Sequence, residues 1–385
     1  MEARRIDDGT RQGARVLVVG GGYAGTMAAN RLTGAPEVTE VVLVDPRPHL
    51  VERIRLHQLA ARTGTATSDG VLAPGVERRV GRAVRVEDGR VVLADGDELA
   101  YDRLVLAVGS TSDVPHAVPG AREHGVPVAA IQDAQRLRDA LTDADGGATV
   151  TVVGGGLTGI EVAAEVAEAR PDLRVRLVVG ALVGPGPGPL GPRARRTVER
   201  ALGALGVEVL EGARVEEVED GKVVLTDGRH LPSDVTMWAA GFVVPDLAAV
   251  SGLPVDAAGR MRVGPDLACT ADARVVGAGD AVAVDGMALR MTCQAAIPMG
   301  AHAADVVLAG LRGRPTPRFG LALRAQCVSL GRRRGVLLLV HEDGRPSAML
   351  LRGRAAATVK ELVCRVTVRV LRTEARHPGR YRWLR

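Results

Sequence analysis

Gly20, Gly22 and Gly25 stand in the spacing GxGxxG, directly after the apolar run Val16 to Val19 and directly before a small-residue helical pattern. In that order the first glycine permits a tight turn and the second lets a pyrophosphate approach the backbone. The third lets helix and strand pack closely, so that an anion meets the free N–H groups of a helix N-terminus. A second apolar strand, Val41 to Val44, ends in Asp45, twenty residues past Gly25, where a carboxylate can accept hydrogen bonds from a ribose hydroxyl pair. These residues, with Gly21, Tyr23 and Ala24 filling the loop, outline a dinucleotide cradle.

The same chemistry returns further along. Gly154, Gly156 and Gly159 of VTVVGGGLTGIEVAAEVAE repeat the three glycines at an offset of 134. Residues 86–109 return as 218–241 with 13 of 24 positions identical at an offset of 132, which chance does not produce. Each copy reads as strand, glycine loop, helix, strand, β-meander and final strand. Two such units are what a chain needs when one dinucleotide exchanges electrons with another. A third signal is RVVGAGDA, Arg274 to Ala281, where an apolar strand runs into Gly279 and Asp280 ahead of a helix expected from about Cys293 to Leu311. If the chain returns there to the first sheet, Asp280 stands beside the first glycine loop.

The copies differ where nucleotide specificity is set. The second strand of the second copy ends in Gly180, with no acid for the 2′ and 3′ hydroxyls, and Arg193, Arg195 and Arg196 follow in GPGPGPLGPRARR. This favours NADPH over NADH, each arginine being a candidate partner for a 2′-phosphate. In the Arg-rich piece HLVERIRLHQLAAR after Asp45, Arg53, Arg55 and His57 either face the phosphates or lie on a solvated helix face.

The elements that must position these groups follow from length and composition. A chain of 385 residues, 46% hydrophobic and 25% charged, is globular and divides into two or three domains. Aromatics at 2% leave few ring-lined pockets. Cys269, Cys293, Cys327 and Cys364 form no close pair, so neither a redox dithiol nor a metal site is expected. There is no apolar signal segment and no long uncharged apolar run, which points to a cytoplasmic protein. Residues 314–385 hold seventeen Lys or Arg against four Asp or Glu, and the remainder of the chain is net acidic. Strands are expected at Leu321 to Leu330, Gly335 to Val340 and Ala348 to Leu351, then a helix from about Ala355. On that helix Val359, Leu362, Val363, Val366 and Val370 form an apolar stripe beside Arg365, Arg369, Arg372 and Arg376. A basic amphipathic helix over 355–376 suits peripheral contact with an anionic membrane face; packing on its own body with solvated arginines is the alternative.

In this order GGGYAG, LVLAVGS, GGGLTGIE, MWAAGF and VVGAGDA resemble the two-dinucleotide flavoprotein reductases, nearest to type II NADH dehydrogenases and apoptosis-inducing-factor-like NAD(P)H:quinone oxidoreductases. The resemblance covers roughly residues 14–312. It implies an α/β fold of two Rossmann-like, glutathione-reductase-like domains with the second inserted in the first, and a small α+β C-terminal region. The expected division is 14–112 with 264–312 for FAD, 113–263 for NAD(P)H and 313–385 for the basic region. It also implies FAD on Gly20, Gly22, Gly25 and Asp45, with Ala83 at the adenine and Asp280 on the ribitol; Gly109, after the strand Leu104 to Val108, and Arg55 are further candidates for cofactor binding. NAD(P)H belongs on Gly154, Gly156 and Gly159, and Glu161 matches a family glutamate near nicotinamide and flavin. The family's AQxAxQ segment appears here as Cys293-Gln294-Ala295-Ala296-Ile297-Pro298, which keeps Gln294 but lacks the second Gln. Expected partners are NAD(P)H and an electron acceptor, a quinone or a small organic molecule, with no nucleic acid and with a homodimer as a candidate assembly. A nucleotide-sensing protein without turnover is the alternative from outside the enzymes.

Overall fold

The computed structural model describes residues 13–111, 117–182, 190–322, 325–340 and 346–384. Strand β1 (Ala14–Val19) enters helix α1 (Tyr23–Leu32), and the chain continues through β2 (Val38–Asp45), β3 (Val76–Val80) and β4 (Arg103–Leu106). Val16, Leu17 and Val18 are fully buried, as expected of a parallel strand covered on both faces. Between β3 and β4 the duplicated stretch forms a three-stranded antiparallel meander.

The second unit rebuilds this plan with β5 (Gly125–Pro127), β6 (Thr149–Val153), α2 (Leu157–Ala169), β7 (Arg174–Val179), α3 (Gly191–Ala204), β8 (Glu208–Glu211) and β9 (Val235–Trp238). Its five-stranded sheet runs β5-β9-β6-β7-β8, and its meander lies between β8 and β9. The chain then adds β10 (Val275–Gly277) to the first sheet, whose order is β10-β4-β1-β2-β3, so the second sheet's strands fall in sequence between β4 and β10. The registers correspond: Val18 pairs with Leu43 and Val105, and Val152 pairs with Leu177 and Met237. Helix α4 (Cys293–Leu311) crosses α1 so closely that a Cβ on Gly300 would lie 2.1 Å from the Ala24 carbonyl oxygen.

The tail forms an antiparallel sheet of β11 (Ala325–Ser329), β12 (Gly335–Val340) and β13 (Pro346–Arg352), followed by α5 (Arg354–Arg376). The first strand is thus shorter than the expected Leu321 to Leu330. Val328, Leu330 and Val336 join the apolar core of the second unit, whereas Val368 and Leu371 join that of the first. The buried face of α5 passes through Ala356, Cys364, Val368, Leu371 and Ala375, not through the stripe expected from apolar spacing, and Leu362 and Val366 stay exposed. Polar partners explain the rotation. Glu374 is buried against Arg31 at 2.9 Å, Glu361 takes Arg55 at 3.0 Å, and Lys360 points inward, so this face is selected by ion pairs as much as by apolarity.

Candidate functional site

One cavity of about 1860 Å³ runs between the two glycine loops and is closed on one side by the tail. At the first loop the backbone of Gly20 has φ +108°, and a Cβ there would sit 2.2 Å from the Ala107 carbonyl oxygen. A Cβ on Gly25 would lie 1.8 Å from the Gly20 carbonyl oxygen, so only glycine lets the helix start this close to the strand. Around Gly22, by contrast, there is open space. The second loop repeats all three features: Gly154 has φ +127°, a Cβ on Gly159 would meet the Gly154 carbonyl at 2.0 Å, and Gly156 faces open space. Both helices therefore present first-turn N–H groups, which have no intrahelical acceptor, to a glycine cradle with room at its middle residue.

Of the residues singled out from sequence, Gly20, Gly22, Tyr23, Ala24, Asp45, Ala83, Gly109, Gly279 and Asp280 line the first half of the cavity. Gly154, Gly156 and Glu161 line the second, and Gln294 lies on the wall formed by the start of α4. Gly21, Gly25 and Gly159 are not on the lining; they shape it from behind. The Gly21 N–H donates to Asp45 Oδ2 at 2.6 Å, and the Arg47 N–H donates to Oδ1 at 2.9 Å, which fixes the Asp45 carboxylate at the strand end. Asp280 accepts from Ser110 Oγ at 2.7 Å and lies 3.5 Å from Arg53, whose guanidinium stands over the Phe242 ring at 5.7 Å. Arg55 is a correction. Its guanidinium turns away from the cavity to Glu52 at 3.0 Å and Glu361 at 3.0 Å, and Arg53 takes the place beside the cofactor loop. Arg195 is likewise committed, to Glu199 at 2.7 Å and to both oxygens of Glu211. Part of the preceding Pro/Gly loop, 183–189, lies outside the described residues.

The tail supplies groups that the spacing did not disclose. Lys360 Nζ lies 3.0 Å from Glu161 Oε1, which also accepts from the Ser329 N–H at 2.9 Å and from Ser329 Oγ at 3.0 Å. His57 Nε2 is 3.5 Å from that hydroxyl. Burial opposes the Lys360 charge, yet adjacent Glu161 more than compensates and raises the ammonium well above the usual lysine range. Burial likewise works against the Glu161 carboxylate, and Lys360 overcomes it, leaving the group below its ordinary value. His57 is pushed by burial down to about 4 and is neutral at physiological pH. One signal for Lys360 was present: of the 50 Lys and Arg residues only Lys222 and Lys360 are lysine. Three thiols far apart in sequence, Cys293, Cys327 and Cys364, also meet on this wall. Burial raises each, Cys293 and Cys364 to about 11, so they are protonated and weakly nucleophilic at neutral pH.

Two open glycine cradles facing one another across a shared cavity, each with its own parallel sheet, define a two-dinucleotide reductase. The comparisons agree. Residues 14–304 match the pyridine nucleotide-disulphide oxidoreductase family, and the chain belongs to it. It is similar to an NADH dehydrogenase-like protein of Mycobacterium tuberculosis, 32% identical over 91% of this chain and 92% of the relative. It is also similar to the type II NADH:quinone oxidoreductase Ndh of the same organism, 29% identical over 78% and 73%. In fold it matches the sulfide:quinone oxidoreductase of Aquifex aeolicus (TM-score 0.78, 17% identity, 95% and 93% covered) and NDH2 of Plasmodium falciparum in complex with NADH (0.75, 15%, 96% and 99%). The chain is an FAD-dependent oxidoreductase with NAD(P)H as co-substrate, and the fit is physical: a glycine cradle with an acid at the next strand end in the first unit, a second cradle opposite.

Proposed function

We propose that the chain takes hydride from NAD(P)H and delivers the electrons to a quinone or similar acceptor, with FAD held by 14–112 and 264–312, NAD(P)H by 113–263, and 313–385 as a separate closing region. The observation that carries this reading is the cavity that joins both cradles and the Lys360–Glu161 pair. FAD, when bound, supplies hydride acceptance and storage of the electron pair between the two half-reactions. The N–H groups at the start of α1 hold the pyrophosphate, Asp45 the ribose hydroxyls, and Asp280 with Ser110 and Arg53 the polar chain between the two halves. Gln294 enters the cavity from the first turn of α4, whose N-cap Thr292 Oγ1 accepts from the Ala295 N–H at 3.3 Å.

Two-electron reduction of a quinone consumes two protons, of which the nicotinamide hydrogen supplies one. Glu161 and Lys360 are placed to hold and pass the other, since both line the cavity in charged form and Ser329 fixes the carboxylate. The names of relatives support a quinone: besides the Mycobacterium enzyme, a demethylphylloquinone reductase of Synechocystis is 26% identical over 78% of this chain. Among the described residues no helix is long and apolar enough to cross a membrane. Exposed Leu362 and Val366 beside Arg365 and Arg369 on α5 support a peripheral contact with an anionic lipid surface through 355–376. The test is anaerobic reduction of the purified protein by NADH and by NADPH, followed by a panel of quinones. A yellow protein bleached by nucleotide and re-oxidised by quinone is expected; a flavin that no quinone re-oxidises contradicts the acceptor, and a colourless protein that takes up no FAD contradicts the whole reading.

A further inference from the structure

The place of Asp45 in the first unit is taken in the second by Val179, since Val19 pairs with Val44 and Val153 with Val178, and beside the glycine that follows it, Gly180, stands a cation. A Cβ placed on Gly180 would lie 3.9 Å from Arg214 Nε. Arg214 is brought there by the turn between β8 and the meander, and its backbone is fixed because the Thr226 N–H donates to the Arg214 carbonyl at 2.9 Å. Its side chain is exposed and forms no salt bridge with any described residue. The acid on the neighbouring strand end, Glu211, is engaged on both oxygens by Arg195 at 2.8 and 2.6 Å and accepts from the Leu182 N–H at 3.2 Å. Its charge is therefore largely neutralised on this rim. Gly180 and Ala181 both line the cavity, so the strand end beside which Arg214 stands, just outside the lining, is continuous with the second cradle.

From this placement we infer that Arg214 binds the 2′-phosphate of NADPH and is the specificity-determining residue of the second unit. The inference rests on the assignment of NAD(P)H to that unit. The chemistry is the converse of that at Asp45: a carboxylate accepts from free ribose hydroxyls and repels a phosphate, whereas an apolar strand end followed by a glycine leaves room for three further oxygens and an arginine fork meets them with paired N–H donors. The sequence drew attention to Arg193, Arg195 and Arg196, which follow the strand. In the structure Arg195 is already paired, and the cation beside the strand end comes from the turn after the neighbouring strand, 34 residues downstream of Gly180.

The experiment is calorimetric titration of the FAD-loaded protein with adenosine 2′,5′-bisphosphate and with adenosine 5′-monophosphate, for the wild type and for Arg214→Ala. The wild type should bind the bisphosphate at least about tenfold more tightly, a difference of ~1.4 kcal/mol. Arg214→Ala should erase that preference while its affinity for the monophosphate, and its bleaching by saturating NADH, stay within about twofold, which also shows that the variant is folded. Equal affinities in the wild type overturn the inference, as does a preference that survives in Arg214→Ala. Neither ligand transfers electrons, so a flavin that no reduced nucleotide bleaches would sink the redox reading while the 2′-phosphate preference is still measured.

Discussion

The two glycine loops are near copies in sequence and in geometry, yet the strand ends beside them have diverged. In the first unit Asp45 is 2% exposed, its carboxylate bound by the Gly21 and Arg47 N–H groups, a rigid acceptor at the strand end. In the second unit the buried, uncharged Val179 takes that place, and Arg214 stands beside the exposed Gly180 that follows it. On the proposed division, a resident cofactor and an exchanging co-substrate use the same cradle and differ in what frames it. The first is further closed by Gly300 of α4 against Ala24, whereas the second meets the tail through Glu161 and Lys360.

The comparison breaks most sharply at its shared part. Gly20→Ala puts a methyl 2.2 Å from the Ala107 carbonyl at a φ of +108°, and FAD affinity should fall by roughly a hundredfold or more, on the order of 3 kcal/mol, so that the purified protein is colourless. Gly154→Ala should leave the yellow colour and remove nucleotide binding by a similar factor. A yellow Gly20→Ala protein would contradict the assignment of FAD to the first unit.

Next in size is the wall that joins the units. Lys360→Met leaves the Glu161 carboxylate buried without its cation and should cost about 3–5 kcal/mol of unfolding free energy in denaturant titration. Glu161→Gln should be milder in stability and slow flavin re-oxidation more than flavin reduction, as a proton-holding role requires. Glu161 lies below its ordinary 4.5 in the folded state, so its share of stability is present above that value and is lost as pH falls. Lys360 lies above its ordinary 10.5, so its share is present below that value and is lost as pH rises. The pair should therefore hold undiminished between those two limits.

His57 sets an acid limit of its own. Its folded value near 4 against 6.5 means that the unfolded chain takes up a proton first, so stability falls from pH 6.5 down to about 4 by roughly 3 kcal/mol. His57→Asn should flatten that segment of the pH profile; an unchanged slope would show that the imidazole is not held neutral. Asp45→Asn keeps the side-chain size but loses the charge that strengthens its bonds. FAD affinity should drop by about 2 kcal/mol, read as slower re-loading of apoprotein. The smallest effect is expected at Arg195→Ala, where NADPH affinity should change by no more than about twofold, since that guanidinium serves Glu199 and Glu211 at the surface.

What the sequence disclosed was whatever is encoded in short-range spacing. The glycine loops, Asp45, the repeated meander and Asp280 are each a local pattern tied to a strand end, and the structure puts every one of them where the two-unit plan requires. What it hid depends on long-range packing. Arg55 and Arg53 lie two residues apart on a single turn, and spacing cannot say that Glu361, 306 residues on, claims the former. The buried face of α5 does not follow apolar spacing because Lys360 and Glu374 are polar and inward, satisfied by Glu161 and Arg31 from other elements. The thiol wall of Cys293, Cys327 and Cys364 was invisible for the same reason.

The most direct test of the account is the flavin spectrum of Gly154→Ala beside the wild type, recorded without air before and after NADPH. The account predicts two yellow proteins, with the wild type bleached and the variant unchanged, because the variant keeps the FAD cradle and has lost the nucleotide cradle. A colourless Gly154→Ala protein, or one bleached as readily as the wild type, would contradict the division of the two dinucleotides between the two loops.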